Sequence, residues 1–300
     1  MRKTGHRSRA VLAVLSAAVL GLAGCDAVGG NSPGPSGTDA QREKQPRPKP
    51  TPLWDRSPES VAAVGDSITR GFDACSVLAD CPEVSWATGS SQEVDSLAVR
   101  LLGETKAAER SWNYAVTGAR MTDLAGQMAQ AATRKPELVT VMAGANDACR
   151  DSTEAMTPVA DFRAQFEEAL RTLRGALPKA QVYVASVPDL KRLWSQGRTN
   201  ELGKQVWKLG ICPSMLEDAD SLDAADALRR ETVQKRVEEY NKALKEVCAK
   251  DRRCRFDGGA VYAYRFGTDQ LSRWDWFHPS VNGQARLAEI AYRTVTAKSP

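Results

Sequence analysis

The chain has 300 residues, 42% hydrophobic and 26% charged, a composition that fits a globular protein with a sizeable core and excludes wholesale disorder. Its formal charge of +4 resides in the first 24 residues, where Arg2, Lys3, Arg7 and Arg9 meet no acid; without them 37 basic residues balance 37 acidic ones, so charge gives no argument for nucleic acid. His6 and His278 are the sole histidines, which excludes a His-rich zinc centre or a binuclear metallophosphatase.

Residues 10–23 are apolar apart from Ser16 and Gly21. A helix of that length spans about 21 Å, short of a bilayer core of about 30 Å. Basic start and short apolar run together predict a secretory signal peptide over residues 1–24. The run ends Leu22-Ala23-Gly24-Cys25, which resembles a bacterial lipobox. That resemblance implies cleavage before Cys25 and a diacylglycerol on its sulfur. Six of the fifteen prolines fall in residues 26–52, among glycine, serine and basic residues, so this stretch reads as a tether rather than a packed element. The expected location is extracytoplasmic, lipid-anchored at the membrane or secreted.

Six further cysteines remain: Cys75, Cys81, Cys149, Cys212, Cys248 and Cys254. An even number in an exported chain predicts three disulfides, for which fifteen connectivities exist. The two six-residue spacings favour Cys75–Cys81 and Cys248–Cys254. Cys149–Cys212 then ties a long stretch back to the loop after Asn146-Asp147. A zinc site is the competing reading, but the sequence has no CxxC.

From residue 53 apolar runs alternate with helical patterns. Residues 61–64 read as a strand ending in Gly65-Asp66-Ser67. Ser90-x-x-Glu93 is a capping-box pattern and predicts a helix through Leu102. Residues 111–116 read as a second strand, followed by a helix from about Thr122. A third strand over 138–143 ends at Gly144-Ala145-Asn146-Asp147. Phe162, Phe166, Leu170, Leu173 and Leu177 form a helical stripe. Residues 181–187 read as a fourth strand, and 189–227 as an insertion without clear pattern. Residues 228–250 are helical, with Val233, Val237, Tyr240, Leu244 and Val247 on one face. Residues 253–256 read as a fifth strand, and Ser280 caps a last helix through Thr294.

This alternation predicts one α/β domain over residues 53–300, with three layers, α/β/α, around a central, mostly parallel five-stranded sheet. Ligands of such sheets bind at the carboxyl ends of the strands. The segments Gly65-Asp66-Ser67, Gly118, Asn146 and Asp275 to His278 follow strands or precede a helix, so they can converge there.

His278 is the one imidazole left after processing. Pro279 biases it away from helical geometry and Ser280 starts the last helix, which places His278 on a loop. Asp275, three residues earlier, can accept a bond from the ring and fix its tautomer. Ser67 needs such a base, since a serine hydroxyl is inert at its own pKa. Gly118 can bring a backbone N–H close to a developing oxyanion, and Asn146 can offer an amide. The competing readings are a packing role for His278 and turn roles for Ser67, Gly118 and Asn146. No G-x-S-x-G elbow surrounds Ser67, and no G-x-x-x-x-G-K-[ST] loop is present.

Taken together, Gly65-Asp66-Ser67, Gly118, Gly144-x-Asn146-Asp147 and Asp275-x-x-His278 resemble the SGNH hydrolase superfamily, the GDSL-type esterases and lipases. The four blocks occur in order over about residues 61–295. The resemblance implies an SGNH/flavodoxin-like fold, with Ser67 as nucleophile, His278 as base and Asp275 as its partner. It also implies an oxyanion hole of the Ser67 N–H, the Gly118 N–H and the Asn146 amide, and neither cofactor nor metal. Ile68 stands where the short motif has leucine, and Asp147 is expected to be structural.

A finer resemblance, to the phospholipase-B-like branch, rests on Ser85-Trp86, Asn146-Asp147-x-Cys149, Val187-Pro188-Asp189-Leu190, Cys212-Pro213 and Phe277-His278-Pro279. It implies a phospholipid or other lipid ester, with polysaccharide O-deacylation as the rival. Trp274, Trp276 and Phe277 beside His278 can line an acyl site or form a satellite hydrophobic cluster. The expected partners are an ester substrate, lipid or acylated glycan, and the membrane through the anchor; nucleic acid is not expected, and the chain is expected to be a monomer. A lipoprotein that binds glycan or lipid without cleaving it is the competing class, and the intact set of Ser67, Asp275 and His278 argues against it.

Overall fold

The computed structural model describes residues 53–298. The signal segment, Cys25 and the tether through residue 52 lie outside the described residues. Strands β1 (Val61–Gly65), β2 (Ser111–Asn113), β3 (Leu138–Met142), β4 (Gln181–Val184) and β5 (Cys254–Phe256) form one sheet in the order β2-β1-β3-β4-β5. Every neighbouring pair is parallel. β1, β3 and β4 are buried along their whole length, as strands covered on both faces must be, and this explains their mostly apolar sequences, interrupted only by Thr140 and Gln181.

Helix α1 (Ser67–Arg70) follows β1 directly, and α2 (Leu97–Leu102) and α3 (Glu104–Arg110) lead on to β2. α4 (Leu124–Ala132) connects β2 to β3. α5 (Ala145–Ala148) and α6 (Val159–Ala176) lie between β3 and β4. α7 (Leu190–Gly197), α8 (Glu201–Trp207), α9 (Pro213–Leu216) and α10 (Ala224–Cys248) lie between β4 and β5, followed by α11 (Ala260–Ala263) and α12 (Val281–Thr296). The chain steps from β1 to β2 on one side and then crosses back to β3. Parallel crossovers are right-handed, so this reversal sets α2 and α3 on one face and α4, α6 and α10 on the other. α4 packs on α6 and α6 on α10, while α12 returns to pack on α2. The result is the expected three-layer sandwich.

The stripe Phe162, Phe166, Leu170 and Leu173 of α6 is buried, and the Phe162 ring stacks on Tyr240 of α10 at 4.0 Å between centroids. Each such side chain contributes roughly 1.5–3 kcal/mol on burial. Cys75–Cys81, Cys149–Cys212 and Cys248–Cys254 are all bridged, the neighbour pairing that the spacings favoured.

Three expectations need correction. The helix expected from Ser90 starts at Leu97, because Asp95 has φ 49°, which helical backbone does not allow; Ser96 is the cap, accepting from the Val99 N–H at 3.3 Å. The second strand is shorter than residues 111–116, although its ladder runs on through Tyr114 N–H to Ala63 O (2.8 Å) and Val116 N–H to Gly65 O (3.1 Å). The patternless 189–227 stretch is largely helical, comprising α7, α8, α9 and the first turn of α10. Its order comes from Arg230, buried and donating to the carbonyls of Met215, Glu217, Asp218 and Ser221 while stacking on Trp194 at 4.4 Å. This buried guanidinium adds to the apolar face of α7, where Leu190, Leu193 and Trp194 are buried. Among the described residues no helix is long and apolar enough to cross a membrane.

Candidate active site

The strand order reverses between β1 and β3, and the crevice at such a switch point is where open α/β sheets bind ligands. Just beyond the end of β1 lies Ser67, and beyond that of β3 lies Asn146. Gly65 closes β1 at φ 146°, and a Cβ on it would lie 2.1 Å from the Met142 carbonyl oxygen of β3, so only glycine fits. Asp66 caps α1 by accepting from the Ile68 N–H at 3.0 Å. Ser67 is therefore the first residue of a helix, where the backbone N–H has no carbonyl of that helix to bond.

Two buried glutamines hold this turn from opposite layers. Gln127 of α4 accepts from Gly65 N–H at 2.7 Å and donates to Gly65 O at 2.9 Å. Gln284 of α12 donates to Ile68 O at 2.8 Å and accepts from Trp86 N–H at 2.9 Å. Neither was singled out from sequence. The available signal was a glutamine on the apolar face of each helix, beside Leu124, Met128 and Ala131 or Leu287, Ala288 and Ala291.

Ser67 Oγ lies 2.9 Å from His278 Nε2, and His278 Nδ1 bonds an Asp275 carboxylate oxygen. The other Asp275 oxygen accepts from the backbone N–H groups of Phe277 and His278, each at 2.9 Å. With Asp275 ionised, the neutral ring carries its proton on Nδ1, leaving Nε2 to accept from the Ser67 hydroxyl. Asp275 is fully buried, which alone raises its pKa. The His278 charge, the bond to the ring and the two backbone donors outweigh burial and hold it below the ordinary value. Burial likewise pulls His278 down, but the Asp275 charge and hydrogen bond, with the charges of Asp73 and Asp66, leave it above its usual 6.5. The edges of Phe72 and Phe277 meet the ring at 5.1 and 5.9 Å.

Asn146 sits in α5 and donates through Nδ2 to Ala119 O at 2.9 Å, which fixes the amide and leaves a second N–H unspent. Gly118 adopts φ 82°. Ser67, Gly118, Asn146 and His278 all line one cavity of about 190 Å³. Asp147 is buried and accepts from Met121 N–H at 2.9 Å and the Thr157 hydroxyl at 2.8 Å, the structural role expected of it. Leu190, Leu193, Ile211 and Cys212 give the cavity an apolar wall from the insertion, which the Cys149–Cys212 bridge fastens beside α5. Of Trp274, Trp276 and Phe277, only Phe277 lines the cavity. Trp276 packs over Gly203 of α8, and Trp274 lies against Arg273 at 4.5 Å.

The sequence model described as GDSL-like lipase/acylhydrolase matches residues 61–291. The chain belongs to this family. No curated protein is close enough in sequence to match. Among solved structures, the GDSL chain is similar to the lipase Lip_vut3 from a goat rumen metagenome, at 13% identity and TM-score 0.49, over 80% of this chain and 98% of that one. It is similar to the extracellular lipase of Streptomyces rimosus at 17% identity and TM-score 0.45, over 79% and 99% of the two chains. A family 3 carbohydrate esterase of Clostridium thermocellum is similar at 13% identity and TM-score 0.46, over 78% and 94%.

Proposed function

We propose that this GDSL hydrolase is a serine esterase that cleaves carboxylic esters through an acyl-enzyme on Ser67. The observation that carries the reading is the continuous chain from Ser67 Oγ through His278 to buried Asp275. His278 Nε2 takes the Ser67 proton as Oγ attacks the ester carbonyl. The imidazolium that forms is stabilised by Asp275, and the oxyanion is met by the N–H groups of Ser67 and Gly118 and the free amide N–H of Asn146. His278 then gives its proton to the departing alkoxide. A water, deprotonated by the same ring, releases the acid and restores Ser67.

The cavity of about 190 Å³ is below the roughly 300–1,000 Å³ typical of drug-sized ligands, which favours a short acyl group or the first few carbons of a longer one. Its apolar wall suits a lipid ester whose chain leaves along the surface, and its size equally favours the second reading, O-deacetylation of a glycan. We place the enzyme outside the cytoplasm, tethered through Cys25 and residues 26–52, acting without cofactor as a monomer. A panel of esters from acetyl to palmitoyl, with phospholipid and acetylated glycan, tests the reading against the Ser67→Ala chain. Hydrolysis that falls off with acyl length and is lost in Ser67→Ala supports it; equal turnover by Ser67→Ala contradicts it.

Asn146→Ala is expected to leave KM near that of the wild type and lower kcat by two to three orders of magnitude, since losing one oxyanion donor costs about 3 kcal/mol in the barrier. Steady-state kinetics on one short ester check this, and a rise in KM at constant kcat would assign Asn146 to substrate binding instead.

A further inference from the structure

A second carboxyl, Asp73, stands behind the Ser67–His278–Asp275 chain, and the mechanism above does not use it. One carboxylate oxygen of Asp73, one of Asp275 and a ring nitrogen of His278 lie within 4.8 Å of one another. Asp73 is fully buried, and its Oδ2 has no hydrogen-bond partner. Its other oxygen accepts from the Leu78 N–H. The segment around it is built to hold it there. Asp73 takes φ 57°, unusual for a residue with a side chain, and its N–H donates to Ala79 O at 2.9 Å. The Cys75–Cys81 bridge closes this small loop. The Ser272 hydroxyl donates to Asp73 O at 2.6 Å, and Ser272 N–H donates to His278 O at 2.7 Å, so Ser272 joins the loop to the histidine segment.

Two ionised carboxylates are acceptors only and repel at this range, so a buried pair keeps one proton between them. Asp275 already accepts three hydrogen bonds, from the His278 ring and two backbone N–H groups, which hold it ionised. The proton therefore falls to Asp73, on the one oxygen that lacks a partner. Building on the esterase reading, we propose that Asp73 is a positioning residue for the Asp275–His278 pair, its neutral carboxyl donating a hydrogen bond to the Asp275 carboxylate. Burial and the Asp275 charge push Asp73 up to about 6, in the same direction. Once His278 is neutral, one charge that lowers Asp73 is gone, so Asp73 holds its proton more tightly in the form of the enzyme that acts as base. The charged groups facing His278 are Asp275 from its own segment, Asp73 from the bridged loop and Asp66 from the cap of α1.

Asp73→Ala and Asp73→Asn in the full chain test this. Asparagine can still donate to Asp275 but carries no charge. Asp73→Ala is expected to lower kcat about tenfold at unchanged KM, the loss of one buried hydrogen bond, and Asp73→Asn to recover most of that. In Asp73→Asn the rise of kcat/KM with pH should stay within a few tenths of a pH unit of the wild type, because the neutral carboxyl that is replaced carries no charge to remove. The His278 ring titration, followed by NMR with His6 as the only other imidazole, should likewise stay in place. That titration does not depend on turnover, so it tests Asp73 even if Ser67→Ala were to disprove the esterase reading. A ring titration about one pH unit lower in Asp73→Asn would show Asp73 to be ionised and overturn the proposal, as would an Asp73→Ala chain with wild-type kcat. If the alanine variant fails to fold, Asp73→Asn decides the matter alone.

Discussion

Replacing His278 with alanine is expected to lower kcat for ester hydrolysis by about four to six orders of magnitude, the scale seen when a serine hydrolase loses its base. No other imidazole lies among the described residues to take over the Ser67 proton. KM should change little, since the ring contributes to the barrier rather than to holding the ester. In the unaltered chain kcat/KM should rise with pH and then level off, because only the neutral ring can accept the hydroxyl proton. Asp275 raises His278, so the midpoint of that rise belongs above the ordinary value of 6.5 rather than below it. Initial rates over a pH series check both statements. A flat profile, or His278→Ala within tenfold of the wild type, would remove His278 from the role of base.

Asp66 should make the folded chain less stable as pH rises from about 4 to about 7, an unusual direction for a carboxyl group. Its complete burial lifts it to about 7 from 3.8, against the Ile68 N–H and the His278 charge that pull it down, and its Oδ2 has no partner to receive a negative charge. The folded chain therefore binds this proton more tightly than the unfolded one. The stabilisation is complete below the unfolded value and is lost as pH climbs through the folded one. A shift of three pKa units corresponds to about 4 kcal/mol. Asp66→Asn keeps the oxygen that caps α1 but has no proton to lose, so the variant should gain about that much on the wild type between about pH 4 and pH 8. Urea unfolding of both proteins at the two ends measures it. The difference contains Asp66 and its coupling to His278, and a difference constant with pH would show Asp66 to be ionised throughout.

The residues legible in the sequence are those whose chemistry is local. Residues 61–64 and 138–143 read as strands because full burial demands largely apolar runs. His278 stood out by being alone, and Asp275 by lying one turn away. The 189–227 insertion was hard to read because its helices are short, of four to eight residues, and part of it is held by Arg230, a charged residue satisfied by four carbonyls. The helix start at Leu97 was displaced because the capping-box pattern at Ser90 competes with a better cap at Ser96. Gln127, Gln284 and Asp73 stayed hidden for another reason. Their partners, Gly65, Ile68 and Asp275, lie 62, 216 and 202 positions away in sequence, and only the closed sheet brings them together. The same holds for Trp274 and Trp276, whose proximity to His278 in sequence says nothing of which way the loop turns them.

Covalent labelling tests the central claim most directly. The full chain is exposed to a fluorophosphonate, which reacts with an activated serine and leaves a phosphonyl group on its oxygen. Peptide mapping by mass spectrometry should place that group on Ser67 in the wild type, with labelling lost in Ser67→Ala and strongly slowed in His278→Ala. Ser57, exposed and near the start of the same domain, should stay unmodified throughout. A label on any other serine, or equal labelling of the Ser67→Ala chain, would contradict the account.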